Sequence, residues 1–332
     1  MKYKKFGDTD LEASVLGFGA ASLGSRTDRN KSVRALNEAF NFGINFYDTA
    51  PFYGQGESEE IIGDVFKKKR DKVFITTKVG LYPSTTLRFA SKFKPIVRST
   101  LQLLPREGRS SIQKSIQSLI RSNNGTVAEF EPDSIVKSVE SSLKRLKTDY
   151  VDILLLHVTP QLHEIDRAIE KLQFLQHQGK IRYFGASPHS LKETLLWLQY
   201  PDCGLSTLQI RLNMLELKLI DDCLPLISSK DIAVIAREPF AQGKLLPPRL
   251  NNLNEINFLG YSYDNRFNFL AKDDVRTVSQ AALKFLLQIR EISVVLCGMS
   301  TVNHIQENIA ALNAPELTSE EIKLIRTLNS VE

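Results

Sequence analysis

Several signals are missing from this 332-residue chain, and each absence excludes a class of protein. It has three cysteines, Cys203, Cys223 and Cys297, far apart and odd in number. They form neither a disulfide framework nor a metal-binding spacing, so a reducing, cytoplasmic setting is expected. No stretch approaches the roughly 18 uncharged apolar residues of a membrane span. The first residues, Met-Lys-Tyr-Lys-Lys-Phe-Gly-Asp, are charged with no apolar core behind them, unlike a signal peptide. Gly17-Phe-Gly19 lacks the rest of a dinucleotide fingerprint, which argues against an open dinucleotide-binding sheet. No Gly-x-Ser-x-Gly hydrolase elbow occurs, and His163, His177 and His189 have no metal-ligand spacing.

The net charge of +5 is local. Residues 83–130 carry eight cations (Arg88, Lys92, Lys94, Arg98, Arg106, Arg109, Lys114, Arg121) against Glu107 and Glu129, more than the excess of the whole chain. The remainder is nearly neutral and does not read as a nucleic-acid binder.

What is present is alternation of short apolar runs with helical periods. An N-terminal hairpin leads into the first strand. Strands follow at 45–47, up to Lys78, and at 151–156, 181–185, 206–210, 232–235 and 293–296. Helices are expected at 30–41, 58–67, 131–146, 165–177, 191–198, 217–228, 275–288 and 303–312, with a last one at 319–328. The run Val151–Leu156 is continuously apolar, as a strand covered on both faces requires. Eight strand–helix units with short connections give an α/β fold, a (β/α)₈ barrel in one domain spanning 1–332. Two connections are long: the basic insertion after strand three (83–130) and the loop after strand seven (239–272). Both are expected on the C-terminal face. Residues 110–122 have a helical apolar period and read as a lid helix.

Asp48, Lys78 and His157 stand at strand ends and Tyr53 just beyond one. Polar groups collected at strand C-termini are what a barrel uses for catalysis. A tyrosine, a lysine, a carboxylate and a histidine gathered there suit proton donation to a carbonyl.

The motif Asp48-Thr-Ala-Pro-Phe-Tyr53-Gly-Gln-Gly-Glu-Ser58-Glu59 resembles a signature of the aldo-keto reductases. So do 142–157, ending in His157, then Ile181-Arg-Tyr-Phe-Gly-Ala-Ser187, and Gly298-Met-Ser-Thr with Gln306-Glu307-Asn308. The resemblance covers about residues 3–315, in order. It implies that Tyr53 is the general acid, that Lys78 lowers its pKa, that Asp48 holds Lys78, and that His157 orients the carbonyl oxygen. It also implies a nicotinamide cofactor, NADPH by default with NADH as the alternative. Gly19 and Asp48 would line its site, and Ser187 and Gln209 would hold the carboxamide. Pro239, Phe240, Ala241, Gln242 and Gly243 would cover the pyrophosphate. Gly298, Ser300, Thr301 and His304 would meet the adenosine phosphate, and Glu307 and Asn308 the adenine. The chain departs from the pattern at Pro188, where asparagine is usual, and at Leu212, read as replacing a tyrosine that stacks on the nicotinamide. No Arg or Lys lies between 298 and 308 to pair with a 2′-phosphate.

By the resemblance the protein reduces an aldehyde, ketone or sugar. The alternatives are an aldose 1-dehydrogenase and a cofactor-binding regulatory subunit with little turnover. The expected partner is a small carbonyl or sugar substrate, with neither nucleic acid nor membrane, and a monomer or small homo-oligomer. An anionic substrate would be attracted by Arg88, Arg98, Arg106 and Arg109.

Overall fold

Eight parallel strands close on themselves in a computed structural model of the chain. The structure describes residues 1–25, 27–83, 126–247, 262–272 and 275–330. The barrel strands, in order around the ring, are β3 (Leu16–Gly19), β4 (Phe46–Asp48), β5 (Phe74–Val79), β8 (Val151–Leu156), β9 (Ile181–Ala186), β10 (Thr207–Arg211), β11 (Ala233–Arg237) and β12 (Ile292–Gly298). Two short antiparallel pairs lie outside the ring. One is the N-terminal hairpin β1 (Tyr3–Lys5) and β2 (Glu12–Ser14). The other is β6 (Leu81–Pro83) and β7 (Thr126–Ala128), which pair through Pro83 and Thr126 at the base of the basic insertion. The rest of that insertion, with its lid helix and arginines, and much of the loop after strand seven lie outside the described residues.

The barrel interior follows from alternation along each strand. Phe46, Ile153, Leu155, Ala233, Ile235, Val294 and Leu296 pack together in the lumen. Phe6, Leu11 and Ala13 from the hairpin region join them, with Phe6 stacked on Phe46 at 5.6 Å between ring centroids. The hairpin therefore plugs the N-terminal end. Two residues beyond Phe46, Leu155, Ile235 and Leu296 the inward positions change from apolar to polar or glycine, and Lys78 and Ser187 lie at the same level. There stand Asp48, Lys78, His157, Ser187, Arg237 and Gly298, level with the C-terminal mouth. The lumen is closed by hydrocarbon at one end and lined with chemistry at the other.

The outward faces pack on α1 (Arg29–Asn41), α2 (Glu57–Phe66), α3 (Pro132–Leu146), α4 (Leu162–His177), α5 (Leu191–Gln199), α6 (Leu217–Ser228), α7 (Val278–Leu287) and α8 (Val302–Ala310), with α9 (Ser319–Asn329) at the end. The expected order of elements holds, with boundaries shifted by a few residues. Among the described residues, no helix is long and apolar enough to cross a membrane.

The α2–α3 contact is close because Gly63 faces α3. A Cβ there would meet the carbonyl oxygens of Arg145 at 2.5 Å and Leu146 at 2.6 Å. One turn earlier, buried Glu59 accepts from Thr77 Oγ1 at 2.6 Å and from Arg145 Nε at 2.7 Å, tying α2 to β5 and α3. Two effects oppose each other in Gly63→Ala. Helix propensity favours alanine by about 1 kcal/mol. Displacing a backbone in a packed core costs about 1–3 kcal/mol, and here the whole α2–α3 seam must open with its Glu59 contacts. Steric cost wins. Gly63→Ala should lower the urea unfolding midpoint, with a loss of about 1–2 kcal/mol; a raised midpoint would show that the helices separate at no cost.

Candidate active site

Asp48 ends β4, Lys78 lies one residue inside the end of β5, and neighbouring strands bring them together. Lys78 Nζ donates to Asp48 Oδ1 at 2.8 Å and Oδ2 at 2.7 Å, and to the Thr49 carbonyl at 2.9 Å. Its side chain is 1% exposed. From across the lumen, Gln209 Nε2 donates to Asp48 Oδ1 at 2.7 Å, and Ser187 Oγ donates to Gln209 Oε1 at 3.4 Å. A continuous polar chain therefore runs from β9 through β10 and β4 to β5.

Tyr53 is placed by a turn that few sequences could form. Gly54, Gln55 and Gly56 all have positive φ, at 59°, 63° and 95°. Glycine at two of the three removes most of the steric cost. A Cβ at Gly54 would also lie 2.8 Å from the Leu23 carbonyl oxygen. The buried hydroxyls of Thr49 and Ser58, 2.8 Å apart, close the base of this turn. The half-buried Tyr53 ring then stands with Lys78 Nζ 5.0 Å from its centroid. It meets the His157 ring edge-on, at 6.1 Å and 88°. His157 follows β8 directly, and its N–H donates to the Val79 carbonyl at 2.8 Å. The four expected residues thus come together in one site.

Burial shapes their protonation. It raises the Tyr53 hydroxyl above the ordinary tyrosine value. Lys78 opposes this through its charge and a hydrogen bond, and Asp48 reinforces it. Lys78 acts in the expected direction, but in this site desolvation outweighs it, so the net shift is upward rather than downward. Burial also disfavours the Lys78 cation, yet Asp48 and Tyr53 together hold its pKa above the ordinary lysine value. His157 is held well below the usual histidine range by burial, then by Lys78, His189 and Arg237. It is neutral at pH 7.

The residues expected at a cofactor lie along the same mouth. Gly19 and Gly298 end neighbouring strands and pair in register. Around Gly298 no atom lies within 4 Å of where a Cβ would be, leaving open space at the strand end. After β11, Glu238, Ala241, Gln242 and Gly243 all have positive φ, so the segment with Pro239 and Phe240 curls sharply beside the mouth. Three of these four are not glycine, and such strain of about 1 kcal/mol or more each is characteristic of ligand-clasping backbone. Thr301 caps α8, accepting from the His304 N–H at 3.2 Å, and Ser300 Oγ meets His304 Nδ1 at 3.2 Å. Glu307 Oε1 accepts from Ser279 Oγ at 3.2 Å. Asn308 is buried, and its Nδ2 has no hydrogen-bond partner. An orphaned amide donor suits a ring nitrogen of a base, and a helix N-terminus suits a phosphate. The residues present fit a dinucleotide.

Leu212 does not behave as expected. It lies just past β10 with its side chain in the outer, helix-facing core and no exposed surface. It cannot cover a nicotinamide ring from there. Conversely, sequence reasoning missed Arg237, the last residue of β11. It occupies the inward position two beyond Ile235, and its charge bears on Tyr53, His157 and His189. The signal was present as an arginine in step with the inward face of strand seven.

A model of the "Aldo/keto reductase family" matches residues 15–330. The NADH-specific methylglyoxal reductase of Escherichia coli is 28% identical, over 99% of this chain and 98% of its own. The L-galactose dehydrogenase of Arabidopsis thaliana is 28% identical, over 95% and 89%. The solved holo form of an aldo-keto reductase from Bacillus halodurans superposes with a TM-score of 0.75, at 27% identity, over 99% of this chain and 96% of that one. With a closed barrel of eight parallel strands and a family match over nearly its whole length, the chain belongs to the aldo/keto reductase family and is a nicotinamide-dependent carbonyl oxidoreductase.

Proposed function

We propose that the protein reduces a small carbonyl compound with NADPH, with Tyr53 donating the proton. The observation that carries this reading is the buried Lys78–Asp48 pair beside Tyr53 and His157 at the barrel mouth. Ser187 and Gln209 would hold the carboxamide, residues 239–243 the pyrophosphate, and Ser300, Thr301, His304, Glu307 and Asn308 the adenosine end. The bound dinucleotide supplies hydride. Neutral His157 orients the carbonyl oxygen without competing as the acid. Tyr53, protonated at neutral pH, gives its proton as negative charge develops on that oxygen. Lys78 stabilises the tyrosinate left behind, and Asp48 keeps Lys78 charged and fixed.

Run backwards, the same groups would oxidise an alcohol or a sugar. Similarity to L-galactose dehydrogenase supports aldose oxidation as the second reading. Turnover of a panel of aldehydes, sugars and sugar phosphates with both cofactors separates the two. Nucleotide binding without turnover of any of them would favour a regulatory subunit.

Tyr53→Phe should lower reduction by roughly 100-fold or more and leave dinucleotide affinity within a few-fold. The hydroxyl acts only where charge develops, so its loss falls on turnover. Single-turnover rates retaining more than about a tenth of wild type would exclude Tyr53 as the acid.

The pH profile gives a second check. Reduction requires protonated Tyr53, so the rate should be flat near neutrality and fall as pH rises through the tyrosine pKa. Lys78→Met removes the cation that favours tyrosinate, so it should move that alkaline limb to higher pH and lower the plateau. An unmoved limb would make Lys78 purely structural.

With no Arg or Lys between 298 and 308 and His304 beside the Ser300 and Thr301 hydroxyls, preference for NADPH over NADH should be modest. His304→Arg should tighten NADPH and leave NADH nearly unchanged, because a guanidinium pairs bidentately with phosphate. Equal responses in fluorescence titrations would place the 2′-phosphate elsewhere.

A further inference from the structure

His157 sits where the sheet runs out, and a side chain takes over from the backbone. The Ser187 N–H donates to the Leu156 carbonyl at 2.8 Å and closes the β8–β9 ladder. One residue on, the His157 N–H still donates to Val79. Its carbonyl, however, meets the ring of His189, whose Nε2 lies 3.1 Å away. A carbonyl can only accept, so the His189 proton is on Nε2. Burial, then the charge of Arg237, hold His189 below the ordinary histidine value, so at pH 7 it is the neutral Nε2–H tautomer.

His189 is itself held in place. The arm that carries it, Ser187-Pro188-His189, has its main chain tied at every residue. The Ser187 N–H goes to Leu156, Arg237 Nη2 donates to the Pro188 carbonyl at 3.3 Å, and the His189 N–H donates to Glu193 Oε2 at 2.9 Å. Proline at 188 fixes φ and leaves no N–H to satisfy. Glu193, in the first turn of α5, also accepts from Thr159 Oγ1 at 2.9 Å, and Thr159 Oγ1 accepts from Trp197 Nε1 at 3.2 Å. One carboxylate thus joins the arm after β9 to the loop after β8, two residues beyond His157. His189, Glu193 and Thr159 have no place in the proton chemistry or among the expected dinucleotide contacts.

We propose that His189 is a positioning residue for His157: its ring stands in for the backbone partner that the His157 carbonyl lacks beyond the ladder, and the Glu193 clamp fixes that ring. This rests on the reductase reading above, in which His157 orients the carbonyl oxygen. An orienting ring is useful only if its own main chain cannot drift, because a shift of about 1 Å in a reacting geometry costs on the order of 100-fold in rate. The arm also carries Ser187, so the hydroxyl expected at the carboxamide and the ring that holds His157 sit two residues apart on one rigid piece. Pro188, where the family pattern has asparagine, suits such an arm.

A double-mutant cycle tests this, read in single-turnover rates at saturating dinucleotide with the aldehyde of the panel above that wild type reduces fastest. His189→Leu should slow reduction about ten-fold and leave dinucleotide affinity within about three-fold by fluorescence titration. His189→Gln, whose Nε2 amide donates at the same reach, should restore most of the rate. In a His157→Ala background no ring remains to orient, so His189→Leu should then cost less than about two-fold. Losses that multiply in the double variant would overturn the proposal and leave the reductase reading intact, since His189 would then act without His157. A Gln variant as slow as the Leu variant would overturn it too. If His189→Leu does not fold, Thr159→Val cuts the outer tie of the clamp and replaces it in the cycle, with an expected loss of about three-fold that must likewise vanish in the His157→Ala background. His157→Ala at wild-type rate would remove the orienting role from the reductase reading and this proposal with it, as would dinucleotide binding without turnover of any compound in the panel.

Discussion

The buried pair of Lys78 and Asp48 is the constraint on which the mouth of this barrel depends. Taking both charges out of water costs several kcal/mol per ion, and mutual attraction recovers that only with good geometry and further hydrogen bonds. Both conditions are met. Lys78 reaches both carboxylate oxygens and the Thr49 carbonyl, and Gln209 adds a third hydrogen bond to Asp48. A hydrophobic pair of similar volume would be about as stable. The pair is therefore poor evidence for stability and better evidence for chemistry, because it provides a permanent cation of fixed position beside a buried hydroxyl.

That cation is useful only because the rest of the fold holds it at the right depth. The N-terminal plug of Phe6, Leu11 and Ala13 fills one end of the lumen, and Ile153, Leu155, Ile235, Val294 and Leu296 fill the middle. The apolar packing closes the lumen from below, and the polar groups of the site gather toward the C-terminal ends of the strands. The Tyr53 turn adds a group that no strand could place, since its ring must lie over the mouth rather than within it. Its three positive φ values are the backbone cost of that placement.

Much of this was legible in the sequence, for identifiable reasons. Strands such as Val151–Leu156 announced themselves because burial on both faces leaves no polar interruption, and Asp48, Lys78 and His157 were conspicuous as polar residues closing apolar runs. Where a strand ends in charge, the same logic fails. β11 was read as stopping at Ile235, yet it continues through Ala236 to Arg237. An arginine reads as the start of a loop, whereas its backbone still pairs with Arg211 and its side chain still faces inward. Leu212 fails for the converse reason. Placing it at the ring meant counting it inward, but Gln209 and Arg211 hold the inward parity of β10, and a leucine in the opposite phase belongs to the helix-facing core. Pattern shows where apolar residues recur; only strand phase shows which way the exceptions point.

Phase and burial together also account for direction in the chemistry. Desolvation favours the uncharged form of any group, so one environment raises Tyr53 and lowers His157. Both are then neutral at pH 7: the tyrosine retains a proton to give, and the histidine has only a hydrogen bond to offer. Two neighbours with opposite shifts agree with the proposed division into acid and orienting group. On the proposed mechanism such a site favours reduction at neutral pH. Oxidation would need Tyr53 as tyrosinate, which burial opposes and only Lys78 favours, so the reverse reaction belongs at higher pH. On the proposed mechanism the same cation would help the proton leave in one direction and keep the base available in the other, which requires Lys78 to remain charged, and its pairing with Asp48 favours that.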